Sequence, residues 1–174
     1  LCLAAVAMDI EGCRWSPHHV AVTAPEHWSV HLPLEANAEG WIAVDFDALV
    51  DSPLHAGPFD AETFTVEGER HELLLIGTPP MGWPPSFIAD IEKVCSATCR
   101  LLGTSPPAGD RYQLVLQLLD RGYGGLEHDH SAVLQFSWSE LAKPKGYRQL
   151  LQLIGHEYLH QWNVRRLRPV ELRP

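Results

Sequence analysis

The sequence predicts an α+β architecture, with the end of a β-rich domain over residues 1–57 and a layer of strands and helices over residues 58–174. Three observations carry the prediction. Short β-prone runs broken by prolines fill the first third of the chain, and no helical period of useful length appears there. Farther on, strand-like runs with alternating apolar residues follow. Two longer stretches, opening near Ser86 and Gly146, carry apolar residues at helical spacing instead.

Taken in order, LCLAAVAM is an apolar run without a basic leader, too short to span a membrane and suited to a buried strand. VAVTAP and HWSVHLPL are short β-prone runs, punctuated by Pro17, Pro25, Pro33, Gly40 and Pro53. The character changes around Asp51-Ser52-Pro53-Leu54. ETFTVEGERHELLLIG reads as two strands joined by a turn at Glu67-Gly68-Glu69, and GTPPMGWPP as a proline-rich loop. In SFIADIEKVCSATCRLLG, Ser86 is placed to cap a helix and Gly103 to end it. Its apolar face carries Phe87, Ile91, Val94 or Cys95, Thr98 and Leu101 or Leu102. RYQLVLQLL sets Tyr112, Leu114, Leu116 and Leu118 on one strand face, and SAVLQFSW does the same with Ala132, Leu134, Phe136 and Trp138. The last element, from about Gly146 to Arg166, repeats Tyr147, Leu150, Leu151, Ile154 and Tyr158 at helical spacing.

Composition narrows the function classes. Lys and Arg number 13 against 22 Asp and Glu, and the net charge of −9 argues against nucleic-acid and anionic-membrane partners. Arg165, Arg166 and Arg168 form the one basic cluster, which reads as a helix-end and salt-bridging group. Cys2, Cys13, Cys95 and Cys99 contain no CxxC, so free, mostly buried thiols in a reducing, cytoplasmic compartment are expected. The chain opens on Leu1 and closes at Pro174 just after a helix, as a piece of a longer protein would.

The chemistry concentrates in GHEYLHQWN. On a helix, residues four apart lie one turn above each other, so His156 and His160 can present ring nitrogens to one metal ion. Zinc takes such nitrogens at about 2.0–2.1 Å. Glu157 lies on the adjacent face, placed to take a proton from water without ligating the ion. Ten His and thirteen Glu among 174 residues would give this pattern about 0.04 times by accident, so its occurrence is informative. Catalytic zinc usually takes three protein ligands, and only fourteen residues follow His160. Glu171, among prolines, is a poor candidate for the third.

A second feature is Gly124-Gly125-Leu126-Glu127-His128. Two glycines admit a close backbone approach, and the strand after them is suited to be an exposed, peptide-binding edge. A carboxylate at its start, Glu127, suits a positively charged amino terminus. From the residues alone, a plain turn after Asp120-Arg121-Gly122 is the stronger reading of the glycines. His128 and His130 flank Asp129 and read as polar edge residues, with a metal role open. His18, His19 and His27 fall in loops, and Trp138 and Trp162 read as core.

DSPLHAGPF, GGLEHDHS and GYRQLLQLIGHEYLHQWNVRRLRP, in that order, resemble the glycyl aminopeptidase family of zinc metallopeptidases. The resemblance runs from about Val20 to Pro174 and is most specific in HQWNVRRLRP. It implies a gluzincin: the end of an amino-terminal β domain, then the first part of a thermolysin-like catalytic domain with the zinc-motif helix. Often a carboxy-terminal PDZ module follows. By the family's pattern His156 and His160 ligate zinc and Glu157 is the general base. Gly124, Gly125 and Glu127 belong to the peptide-binding edge, with Glu127 on the free α-amine. The third ligand, a glutamate on a later helix, would lie outside the chain.

The resemblance therefore implies a zinc aminopeptidase acting on peptides with a free amino terminus, and a chain inactive by itself. A non-catalytic peptide-binding scaffold and an endopeptidase of the same fold are the alternatives. The scaffold would lack the glutamate-bearing helix, and the endopeptidase would ignore Glu127.

Overall fold

The computed structural model describes residues 1–59 and 61–172. Its first part holds β1 (His18–Val20), β2 (Ser29–His31), β3 (Glu35–Asn37), β4 (Gly40–Ala43), the short helix α1 (Phe46–Val50) and β5 (His55–Gly57). Strands β1, β4 and β3 form one antiparallel sheet in that order, and β2 pairs with β5. Leu3, Leu32, Ala43, Phe46 and Leu49 form a small core beneath them. Helix α1 is closed at its start by Asp45, whose side chain accepts from the Ala48 N–H at 2.7 Å. Five residues are too few for periodicity to reveal, which is why the sequence gives no sign of it. The expected buried strand at LCLAAVAM is not found. Local bonds from Ala5, Val6 and Ala7 back to Cys2 and Leu3 wind it into a turn, leaving Val6 and Met8 exposed.

The second part comprises β6 (Ala61–Val66), β7 (Glu69–Ile76), α2 (Phe87–Leu102), β8 (Tyr112–Leu119), β9 (Tyr123–Glu127), β10 (Ser131–Ser137), α3 (Trp138–Leu141) and α4 (Gly146–Leu159). Its five-stranded sheet runs β6-β7-β8-β10-β9. β8 lies parallel to both its neighbours, and the outer pairs are antiparallel. The β6–β7 turn has both central residues at positive φ, Glu67 at 50° and Gly68 at 91°, which matches strand twist. Helices α2 and α4 share one core with the sheet: Ile91, Cys95, Leu150, Ile154 and Tyr158 meet Leu114, Leu134 and Phe136.

Several expectations need correction. Ser86 does not cap α2, because its hydroxyl donates to the Asp90 carboxylate instead. Gly103 does end that helix, at φ 67°. Trp138 leaves the strand, enters α3, and stays 38% exposed with its indole N–H on Asp120. His18 and His19 lie in β1. Cys95 and Cys99 are buried, but Cys2 and Cys13 are exposed. The zinc-motif helix, expected to reach Arg166, ends at Leu159. From His160 to Trp162 the N–H groups bond three residues back, and those of Arg165 and Leu167 bond five back. That irregular winding turns the His160 ring and the Arg165 side chain toward partners a straight helix would miss.

The edge strand also differs from expectation. The strand after the glycines, β10, is interior. The glycines themselves lie in β9, whose outer side has no strand partner among the described residues. Of the described residues, no helix is long and apolar enough to cross a membrane.

Candidate metal centre and peptide-binding edge

The two histidines converge as their spacing requires. His156 Nε2 and His160 Nε2 lie 3.2 Å apart. Two nitrogens about 2.05 Å from a tetrahedral ion would be about 3.3 Å apart, so the pair fits zinc. The His160 tautomer is fixed by its surroundings. Its Nδ1 is 2.6 Å from the Asn163 carbonyl, which can only accept, so Nδ1 carries the proton and Nε2 offers its lone pair. That carbonyl is available because the helix has ended.

Glu157 lies beside them, 4% exposed, with Oε2 buried and unpaired. Burial pushes its carboxyl up, and the Glu127 charge adds to this, while His156 and His160 pull the other way. Glu127, at the end of β9, completes the group: ligand atoms of Glu127, Glu157 and His160 all lie within 4.8 Å of one another. An unpaired buried carboxylate among two histidines and a second carboxylate suits a cation.

Gly125 is where strand and helix touch. A Cβ built there would fall within 2.5 Å of Glu157 Cγ and Oε1. The glycine is thus needed for the glutamate behind it. Gly124, at φ 153°, takes a backbone that side-chain-bearing residues rarely adopt. A cleft of about 420 Å³ opens here, lined by Tyr123, Gly124, Gln152, Leu153, His156 and Glu157.

His128 and His130 do not join the group. His128 Nδ1 is 3.3 Å from Asp51, and His130 Nδ1 is 3.2 Å from the Ala108 carbonyl. Glu171 sits in a separate turn at Val170–Leu172 and is exposed. Tyr123 and Gln152 were not foreseen, since nothing in their spacing marks them.

Also unforeseen is an ion cluster beside the edge strand. Asp51 Oδ1 accepts from Arg165 at 2.7 Å and Oδ2 from the Asp129 N–H at 2.7 Å. Arg165 Nε donates to Asp129 at 2.8 Å. Burial would raise the Asp51 carboxyl, but the bonds from His128 and Asp129 and the Arg165 charge outweigh it and hold it below its usual value. Arg165 and Arg168 of the basic cluster are thus salt-bridging, though not at a helix end, while Arg166 donates to the Gln161 carbonyl. The Asp51 partner of Arg165 lies 114 residues away, beyond any local signal.

Known proteins share parts of this sequence and fold. The model for the peptidase M61 N-terminal domain matches residues 1–58, and that for the M61 glycyl aminopeptidase matches residues 149–174. An aminopeptidase N family protein from Idiomarina loihiensis superposes with a TM-score of 0.79 at 27% identity, covering 93% of this chain. The chain spans 30% of that protein's length. An M1 zinc metallopeptidase from Deinococcus radiodurans is similar at a TM-score of 0.46 and 14% identity, over 79% of this chain and 32% of its own. A two-domain M1 zinc metallopeptidase bound to L-arginine gives 0.43 and 13%, with the same coverage. No match was found among curated proteins. Both ends of the sequence thus match models of the M61 peptidase family in the family's order, and the fold is shared with a solved aminopeptidase N family protein across nearly the whole chain.

Proposed function

We propose that the protein is a zinc aminopeptidase that removes small amino-terminal residues, glycine especially, from peptides. One observation carries this: Glu127 ends β9, an edge strand among the described residues, and lies within 4.8 Å of Glu157 and His160 atoms. A peptide whose amine meets Glu127 runs antiparallel along β9 toward Tyr123, and its first carbonyl then lies over Gly125 and Glu157. Main-chain groups of β9 hold it, and Glu127 allows only one residue before the cleavage point.

His156 and His160 would hold the zinc ion, with a third ligand expected from a glutamate outside residues 1–174. When bound, zinc polarises the carbonyl and acidifies water. Glu157 takes the proton of the attacking water and passes it to the leaving amine, helped by the space at Gly125. Asn163 keeps the His160 ring oriented. The glycine preference is supported by the family description alone. A cytoplasmic location is supported by the four free cysteines.

The test compares Gly-Ala peptides with free and acetylated amino termini, using the full-length protein and Glu127→Gln. The free peptide should be cut preferentially, and the variant should lose that preference. Equal cutting of both peptides by the unaltered protein would indicate an endopeptidase. Binding without cutting would favour a peptide-binding scaffold.

A further inference from the structure

The cluster around Asp51 joins three segments: the end of α1, the β9–β10 connection and the stretch after the zinc motif. Asp51 caps the end of α1 in the first domain. Asp129 lies two residues beyond Glu127, in the tight connection where the His128 N–H bonds the Ser131 carbonyl at 2.7 Å. Arg165 follows the zinc motif, and its own N–H bonds the His160 carbonyl at 3.1 Å. Both Asp51 oxygens are engaged, one by Arg165 and one by the Asp129 backbone. Arg165 and Asp51 are only 19% and 21% exposed, so their pairing is poorly screened by solvent.

We propose that Asp51 and Arg165 are positioning residues, through which the first domain fixes how far the Glu127 carboxylate stands from His160 and Glu157. The proposal rests on the assignment of Glu127 to the peptide amine. Without Asp51, Arg165 still pairs with Asp129, so the β9–β10 connection stays folded. It loses its tether to the first domain, and Glu127 is free to drift from the histidines. A displacement near 1 Å at such a site costs up to about a hundredfold in kcat/KM, here through weaker holding of the peptide amine.

The experiment uses zinc-loaded full-length protein with Gly-Ala and N-acetyl-Gly-Ala. Asp51→Asn should raise KM for the free peptide by about 10- to 100-fold, leaving kcat and any cutting of the blocked peptide little changed. Arg165→Met should behave alike, Arg165→Lys should recover part of the loss, and the double variant should be no worse than either single one. Asp47→Asn, on the same helix but paired with exposed Arg14, serves as the control. An equal fall on both peptides, confined to kcat, would overturn the proposal. Hydrogen exchange on the zinc-free protein gives a second readout. Asp51→Asn should speed exchange together over residues 123–131 and 160–168, and unchanged exchange there would overturn the tether whatever the kinetics. If the unaltered protein shows no preference for a free amine, the Glu127 assignment fails, and exchange alone decides the tether.

Discussion

At the residue scale, Gly125 separates chemistry from stability. Its φ is not in the left-handed region, so Gly125→Ala meets no backbone strain, yet the added methyl occupies the space of Glu157. Activity should fall about a hundredfold through displacement of the glutamate, with a melting temperature near that of the unaltered protein. Kinetics with a parallel thermal melt check this, and full activity in a folded variant would contradict it. Glu157→Gln removes the proton acceptor while keeping the shape, and should lower kcat by about 10²- to 10⁴-fold. The histidine pair and Glu157 were legible in the sequence because helical spacing makes neighbours of residues four apart. Glu127 meets His160 across 33 positions and was placed by family resemblance. Asp51 and Arg165 leave no local pattern at all.

At the element scale, the zinc-motif helix is anchored from beneath by a buried polar contact. The Tyr158 hydroxyl donates to His71 Nε2 at 2.9 Å, because His71 Nδ1 is taken by the Glu69 carbonyl at 3.1 Å. Both rings are fully buried, and burial holds His71 below its usual pKa and Tyr158 above. Tyr158→Phe leaves that nitrogen unpaired and should cost about 1–3 kcal/mol in urea unfolding. No change would mean that the pair does not anchor the helix. The long elements α2, β7, β8, β10 and α4 were legible from apolar period, since each buries a face against the same core. The short ones were not: α1 has five residues, and β9, with two glycines, has little side-chain pattern to show. The end of α4 was missed because tertiary partners, not propensity, unwind it at His160.

At the scale of the whole molecule, two cores meet across polar contacts, including His31 with Glu72 at 3.4 Å as well as the Asp51 cluster. His55, 7% exposed near this boundary, is lowered to about 4, chiefly by burial and further by positive charge from His31 and His128. In the unfolded chain it titrates near 6.5, so between about pH 6.5 and 4 the unfolded state binds more protons. Its contribution to stability is therefore complete above pH 6.5, falls as pH drops to about 4, and changes no further below. Melts across that range should show the decline, and His55→Gln should flatten it; an identical slope in the variant would contradict this. Zinc titration of residues 1–174 addresses the ligand set. Weak binding is expected if the third ligand lies elsewhere in the protein, whereas tight one-to-one binding would make Glu127 a ligand and remove it from the amine.

The most direct test of the central claim is release of free glycine from Gly-Ala by zinc-loaded full-length protein, measured beside Glu157→Gln. Glycine release that is lost in the variant is the predicted result. Equal release by both proteins, or none by the unaltered one, would contradict the assignment of this site as an aminopeptidase centre.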